Sequence, residues 1–285
     1  LIDMGNHYVP QYYLRGFSIT PMSDLIWVYR RGTEDVFKTA IHNIAQENNF
    51  YPDDLEKYLA NEIEGPANAV LQKIQALESL TLEDKEVLSK YMMVLWKRVP
   101  EHKNWLKDKA PEIMNPVFER IDNELLELGK KYPEKMDLVE KRRKELQELR
   151  TTKESDILHD IWLANMPPDK TPQTLGVLSQ MTWRFFTTRE DEYFITSDNP
   201  LFFFRWMGIG KEQSEVTFPI TQNIALWATW RIDIIEGYFP TLPQVAKEIN
   251  RRTASIAHNY LYSPRSESWI GTLANKKTHR LNRIV

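Results

Sequence analysis

The chain has 285 residues, a formal net charge of −3 and no cysteine. That length suits one large domain or two small ones. With 42% hydrophobic and 27% charged residues, the chain is expected to bury a core rather than stay disordered. The missing cysteines exclude a disulfide scaffold, a Cys-ligated zinc site, an iron–sulfur cluster and a thiol nucleophile.

No apolar run approaches the roughly 20 residues needed to cross a bilayer, and no secretory pattern is visible. A cytoplasmic protein without membrane contact is the expectation. Met4-Gly5 reads as a native start, and Val9 breaks the myristoylation pattern.

Asn6–Phe17 reads as one short helix, with Asn6 as N-cap, Pro10 in the first turn and Gly16 as the stop. Leu25–Arg30 and Val36–Thr39 read as a strand pair turned at Gly32. Asp53 or Asp54 is expected to cap a helix whose stripe is Leu55, Leu59 and Ile63, interrupted at Gly65-Pro66. Helical spacing resumes with Ala67, Val70, Leu71, Ile74 and Leu77, and Thr81 with Asp84 forms a capping box for the next helix. That helix has Leu88, Tyr91, Met92 and Leu95 on its apolar face.

Residues 112–164 read as a helical hairpin inserted into a single domain spanning 1–285. Phe118, Ile121, Leu125 and Leu128 form one stripe, and Pro133 ends it. Nine basic and six acidic residues lie between Lys130 and Glu154, a mixed-sign density that marks a solvated arm and a possible protein-binding surface.

After Met166-Pro167-Pro168 a short helix is expected over Leu175–Met181. Trp183–Thr188 and Tyr193–Thr196 then read as a hairpin joined by Arg189-Glu190-Asp191. Leu201–Arg205, Glu215–Ile220 and Ile224–Arg231 continue as strands. Thr241 is expected to cap a last helix with Gln244 at its third position, and Tyr260–Tyr262 reads as a closing strand. The class is therefore α+β, predominantly helical, with an antiparallel sheet built mainly from the C-terminal half.

Three groups of residues carry candidate chemistry. His7, Gln11 and Arg15, four apart, would share one helix face as a proton carrier, an orienting amide and an anion binder. A capping His and a solvated Arg are the plainer alternative. Thr196-Ser197-Asp198-Asn199-Pro200 puts small polar residues at the end of an apolar strand. They could shape a turn, or Asp198 and Asn199 could join a site with Ser197 binding substrate. Glu62 falls in the apolar stripe of its helix, where a carboxylate must be paired or protonated, and it or Glu64 is a partner for Arg15 or His7.

His7–Phe17, Asn48-Asn49-Phe50-Tyr51, Glu62-Ile63-Glu64 and Phe194–Pro200 together resemble a bacterial family catalogued as domain of unknown function 4238. The blocks occur in the same order along most of the chain. The family carries no established activity. The resemblance implies that the His7 and Asp198 blocks are where a shared site lies.

Walker A, G-x-G-x-x-G, H-E-x-x-H, G-x-S-x-G and EF-hand patterns are absent. The six His are scattered, so no cofactor is evident, while a divalent metal stays open. Arg252 and His258 resemble the R-x(4–6)-H signature of helical metal-independent ribonucleases of the HEPN type, although the strand content does not suit that fold. From Pro243 to Val285, eight basic residues face two acidic ones, a stretch that could track nucleic-acid phosphates or dock on an acidic face of the same protein.

The expectation is a hydrolase acting on a phosphate-containing substrate, a nuclease-like effector with His7 as acid/base and Arg15 binding the anion. The alternative is a non-enzymatic protein-interaction or small-ligand-binding protein.

Overall fold

The computed structural model describes residues 5–152, 154–167, 172–189 and 191–284. Met4, Pro168 and Glu190 lie outside the described residues. The chain divides into two compact units, one made of residues 1–99 and 168–285 and the other of the contiguous stretch 100–167.

Among the described residues the larger unit carries three sheets. A two-residue strand β1 (Asn6–His7) pairs antiparallel with β4 (Gln46–Glu47). A four-stranded sheet has the order β3-β2-β11-β6, from β2 (Leu25–Arg30), β3 (Val36–Ala40), β6 (Thr196–Ser197) and β11 (Tyr260–Ser263). A five-stranded sheet has the order β10-β5-β9-β8-β7, from β5 (Thr182–Thr187), β7 (Phe202–Phe203), β8 (Glu215–Thr221), β9 (Ile224–Thr229) and β10 (Gly237–Pro240). All ladders are antiparallel except β10 on β5.

Every residue of β8 and β9 is buried. Strands covered on both faces are mostly apolar, and Glu215, Thr217, Thr221 and Thr229 are the polar members here. Between Thr221 and Ile224 the connection is short because the Thr221 hydroxyl accepts from the Asn223 and Ile224 amides, both at 3.1 Å.

The helices of this unit are α1 (Gln11–Arg15), α2 (Asp53–Tyr58), a π-helical segment Leu59–Glu64, α3 (Gly65–Gln75), α4 (Leu82–Arg98), α8 (Pro172–Gln180), α9 (Pro243–Ile256) and α10 (Ser268–Asn275). The capping box forms as the sequence implies, with Thr81 accepting from the Asp84 amide at 3.1 Å and Asp84 accepting from the Thr81 amide at 2.9 Å. The smaller unit consists of α5 (Pro100–Lys131), a 3₁₀ turn at Pro133–Lys135, α6 (Met136–Thr152) and α7 (Glu154–Ala164). Arg143 on α6 grips Asp122 on α5 through two bonds of 2.6 and 2.9 Å.

The class is α+β. Four local expectations are corrected. His7 is not helical: Pro10 starts α1 and leaves Asn6-His7 extended, so the first helix is only five residues long. Gly65-Pro66 does not break its helix, because Pro66 sits in the first turn of α3, where its missing N–H costs nothing. Tyr193–Ile195 does not return on β5, which pairs with β9 and β10 instead. Thr241 does not cap α9; Leu242 precedes Pro243, which opens the helix.

Candidate functional site

The stretch Asn6–Phe17, which carries α1, is where the four sequence blocks meet. Tyr13, fully buried, donates its hydroxyl to the Pro219 carbonyl at 2.7 Å and so receives the Thr196 hydroxyl, also at 2.7 Å. Its ring stacks on Phe218 at 5.1 Å. That joins the first block to the fourth.

Asn6, just before the first block, ties it to the second. Its Oδ1 accepts from the Phe50 amide at 2.9 Å and the Tyr51 amide at 3.4 Å, while Nδ2 donates to Glu56 at 3.4 Å. Asn49, just before them, takes the left-handed backbone (φ 54°) that Asn tolerates better than most residues. The Tyr51 hydroxyl then donates to the His7 carbonyl at 2.9 Å.

The third block arrives through the π-helical segment. Its wider turn carries one extra residue, which rotates Glu62 out of the apolar stripe and into solvent. The expectation that Glu62 must be paired or protonated is thereby corrected. Glu64 is the carboxylate turned inward. It accepts from Arg98 Nη1 at 2.7 Å, with the Arg98 side chain 2% exposed and that of Glu64 24%. Arg98 Nε donates to the Tyr8 carbonyl at 2.9 Å. Burial opposes the Arg98 charge, but Glu64, with Tyr51 and Tyr91, holds its pKa above the ordinary value.

His7 faces this pair. Burial depresses its pKa below 6.5, and the Arg98 charge depresses it further, against the His42 backbone hydrogen bond and Glu64, which pull it up. The imidazole is therefore neutral at pH 7, with one nitrogen engaged at His42. Among the described residues no hydrogen bond reaches three buried atoms here: His7 Nε2, Arg98 Nη2 and the Tyr91 hydroxyl. Burial holds the Tyr91 phenol protonated. A neutral imidazole, a guanidinium donor, a phenol and a carboxylate can together move a proton and hold an anion.

Arg98, Tyr91 and Tyr51 had no part in the candidate chemistry read from the sequence. One signal was available: Arg98 extends the Leu88, Tyr91, Leu95 face by three further positions, and an arginine in an apolar stripe demands a buried partner.

The remaining expected residues lie elsewhere. Arg15 turns away from His7 and pairs through Nε with Asp24 at 2.8 Å, both exposed; Gln11 touches it only at 3.5 Å. Asp198 is fully buried and accepts from three consecutive amides, His258 at 2.7 Å, Asn259 at 2.6 Å and Tyr260 at 3.0 Å. Burial pushes its carboxyl up to about 6, against those three bonds. Asn199 donates to the Ile256 carbonyl at 2.9 Å, and the Ser197 hydroxyl donates to the Asn199 carbonyl at 2.8 Å. Asp198 and Asn199 thus fasten the turn between α9 and β11, while Ser197 closes its own turn. No hydrogen bond or ion pair among the described residues joins them to His7 or Arg15.

Arg252 is fully buried in an ion pair with Glu215 at 2.6 Å, and His258 contributes its backbone to the Asp198 turn. The basic C-terminal stretch docks partly on acidic groups of the same chain: Arg252 and Arg283 on Glu215, Arg251 on Glu248. No group of three or more His, Asp or Glu among the described residues is placed to hold a metal ion. No helix among them is long and apolar enough to cross a membrane.

Neither the curated proteins nor the solved structures hold a match to this chain. One family does match, over residues 6–267, a span that takes in all four blocks around α1, and the chain belongs to it: it is a member of the family described as protein of unknown function (DUF4238).

Proposed function

We infer that the protein is a hydrolase of phosphate-containing substrates, a nuclease-like effector of the bacterial cytoplasm. The observation that carries this reading is the His7 imidazole. It is neutral, fixed through one nitrogen at His42 and unpartnered at Nε2, beside the Glu64–Arg98 pair. In this role Nε2 takes a proton from the attacking water, Arg98 Nη2 holds a non-bridging phosphate oxygen, and Glu64 fixes the guanidinium. Asp198 and Asn199 support the site by holding the fold. Nucleic acid is the partner the reading names, and the helical unit is the surface it assigns to any protein partner.

The test is cleavage of labelled RNA and DNA, with and without Mg²⁺, by the native protein and by His7→Ala. Turnover is expected to fall at least tenfold in the variant. In the native protein it should rise with pH as His7 loses its proton, with the midpoint of the rise below 6.5, since the imidazole pKa lies below that value. Cleavage unchanged in the variant, or absent from the native protein, sinks the reading.

The second reading is a non-enzymatic protein. It is favoured by the use of Asp198 for three backbone amides rather than for His7. It expects His7→Ala to lower the melting temperature by several degrees with no activity to lose.

A further inference from the structure

Helix α1 ends where the chain seats tightly on the β8–β9 turn. The Gln222 amide donates to the Gly16 carbonyl at 2.8 Å. A Cβ on Gly16 would sit 3.0 Å from the Ile220 carbonyl oxygen, closer than side chains ordinarily stand, so glycine permits the approach. The Thr188 amide, just past β5, donates to the Asn223 carbonyl at 2.9 Å. This braced frame forms the floor of an open cleft of about 1070 Å³.

Among the described residues three arginines line the cleft, Arg15, Arg189 and Arg265, against one acidic residue, Asp191. Arg15 gives Nε to Asp24 and Nη2 to Gln11 at 3.5 Å, and the Asp24 pair is exposed on both sides and so weak. Arg265 lies over the Tyr193 ring at 4.9 Å, a cation–π contact that holds the side chain at the cleft.

We propose that this cleft binds consecutive phosphate groups of a polyanionic ligand, either the backbone of a single-stranded nucleic acid or a nucleoside triphosphate. Guanidinium forks match pairs of phosphate oxygens. Three of them around one open space suit a chain of charges rather than a lone carboxylate, and the volume reaches the top of the range for small-molecule sites. The proposal rests on the reading of the protein as acting on a phosphate-containing substrate, and it adds a place for phosphates other than the one that reading gives to Arg98.

The experiment is binding, not turnover. A labelled oligothymidylate is titrated at rising salt, and ATP is titrated separately by calorimetry, on the native protein, on the pair Arg189→Gln/Arg265→Gln, and on Arg142→Gln in the helical unit. Binding by the native protein is expected, weakening by at least tenfold in the double variant. For the oligonucleotide the slope of log affinity against log salt should become shallower by about 1.4, that is about 0.7 for each phosphate no longer neutralised. Arg142→Gln should change neither quantity, and melting curves check that each variant folds. Arginine-dependent binding of the oligonucleotide identifies a polymer backbone as the source of the phosphates, and arginine-dependent binding of ATP alone identifies a small nucleotide. Equal affinity and equal slope in the double variant, or no binding of either probe to the native protein, overturns the proposal. Arginine-dependent binding without any cleavage keeps this proposal and removes the hydrolase reading.

Discussion

Replacing Arg252 by Ala is expected to lower the melting temperature by about 10 °C. The guanidinium is fully buried and donates to Glu215 at 2.6 Å and to the Asn282 carbonyl at 2.6 Å, and it lies 3.5 Å from Glu248. It also covers Phe202 and Phe204 at 5.1 and 5.2 Å. Removing it strands the fully buried Glu215 carboxylate with the peripheral Arg283 and the Ile284 amide. Breaking a buried pair on one side costs about 3–5 kcal/mol, and each kcal/mol moves the midpoint of a chain this large by roughly 2–4 °C. The double change Arg252→Met/Glu215→Leu should lose less than the single one, because it removes both charges together. Thermal melts of the three proteins decide the matter. A shift below 2 °C for Arg252→Ala would show that the pair is not holding the C-terminal segment.

Asp198→Ala is expected to act on nearly the same scale. It leaves the amides of His258, Asn259 and Tyr260 without their acceptor, at about 1–3 kcal/mol each when buried. A fall of 6 °C or more should follow. Asp198→Asn, which keeps one acceptor oxygen, should lose less. The two variants also read the titration. Burial raises the folded carboxyl from 3.8 to about 6, so folding favours the protonated form in that window. The native protein's margin over Asp198→Asn should therefore be greatest below pH 3.8 and shrink as pH rises through 6. A margin that grows over the same interval would mean that the three amides outweigh burial.

Much of the fold is legible from side-chain periodicity. β2, β8 and α4 fall close to where alternation, β-branched runs and the Thr81–Asp84 box put them. What periodicity misses is partner choice. The aromatic run Trp183–Thr187 announces a strand, but only the tertiary fold decides that β9 and β10 flank it rather than Tyr193–Ile195. The candidate site is less legible still. His7 and Asp198 both stand out as polar residues in apolar settings, yet one lies beside Arg98 and the other serves a turn. Spacing cannot separate these fates, because each depends on what arrives from far along the chain. The π-helical segment hides Glu64 in the same way: a regular helical wheel points Glu62 inward, and one extra residue in the turn reverses the choice.

The order of strands β3-β2-β11-β6 has a consequence for synthesis. β2 lies within the first 30 residues, while its partner β11 spans 260–263, and Tyr29 of β2 shares its apolar cluster with Leu261 and Ile270. A ribosome must therefore add some 230 residues before that edge of β2 is covered, and pairings so distant in sequence are slow to form. His7, Tyr51, Glu64 and Arg98 all emerge within the first 98 residues, and residues 100–167 make a compact unit of their own. A nascent chain halted short of residue 263 would thus hold the groups around His7 beside an open sheet edge, a form more prone to self-association than to folding.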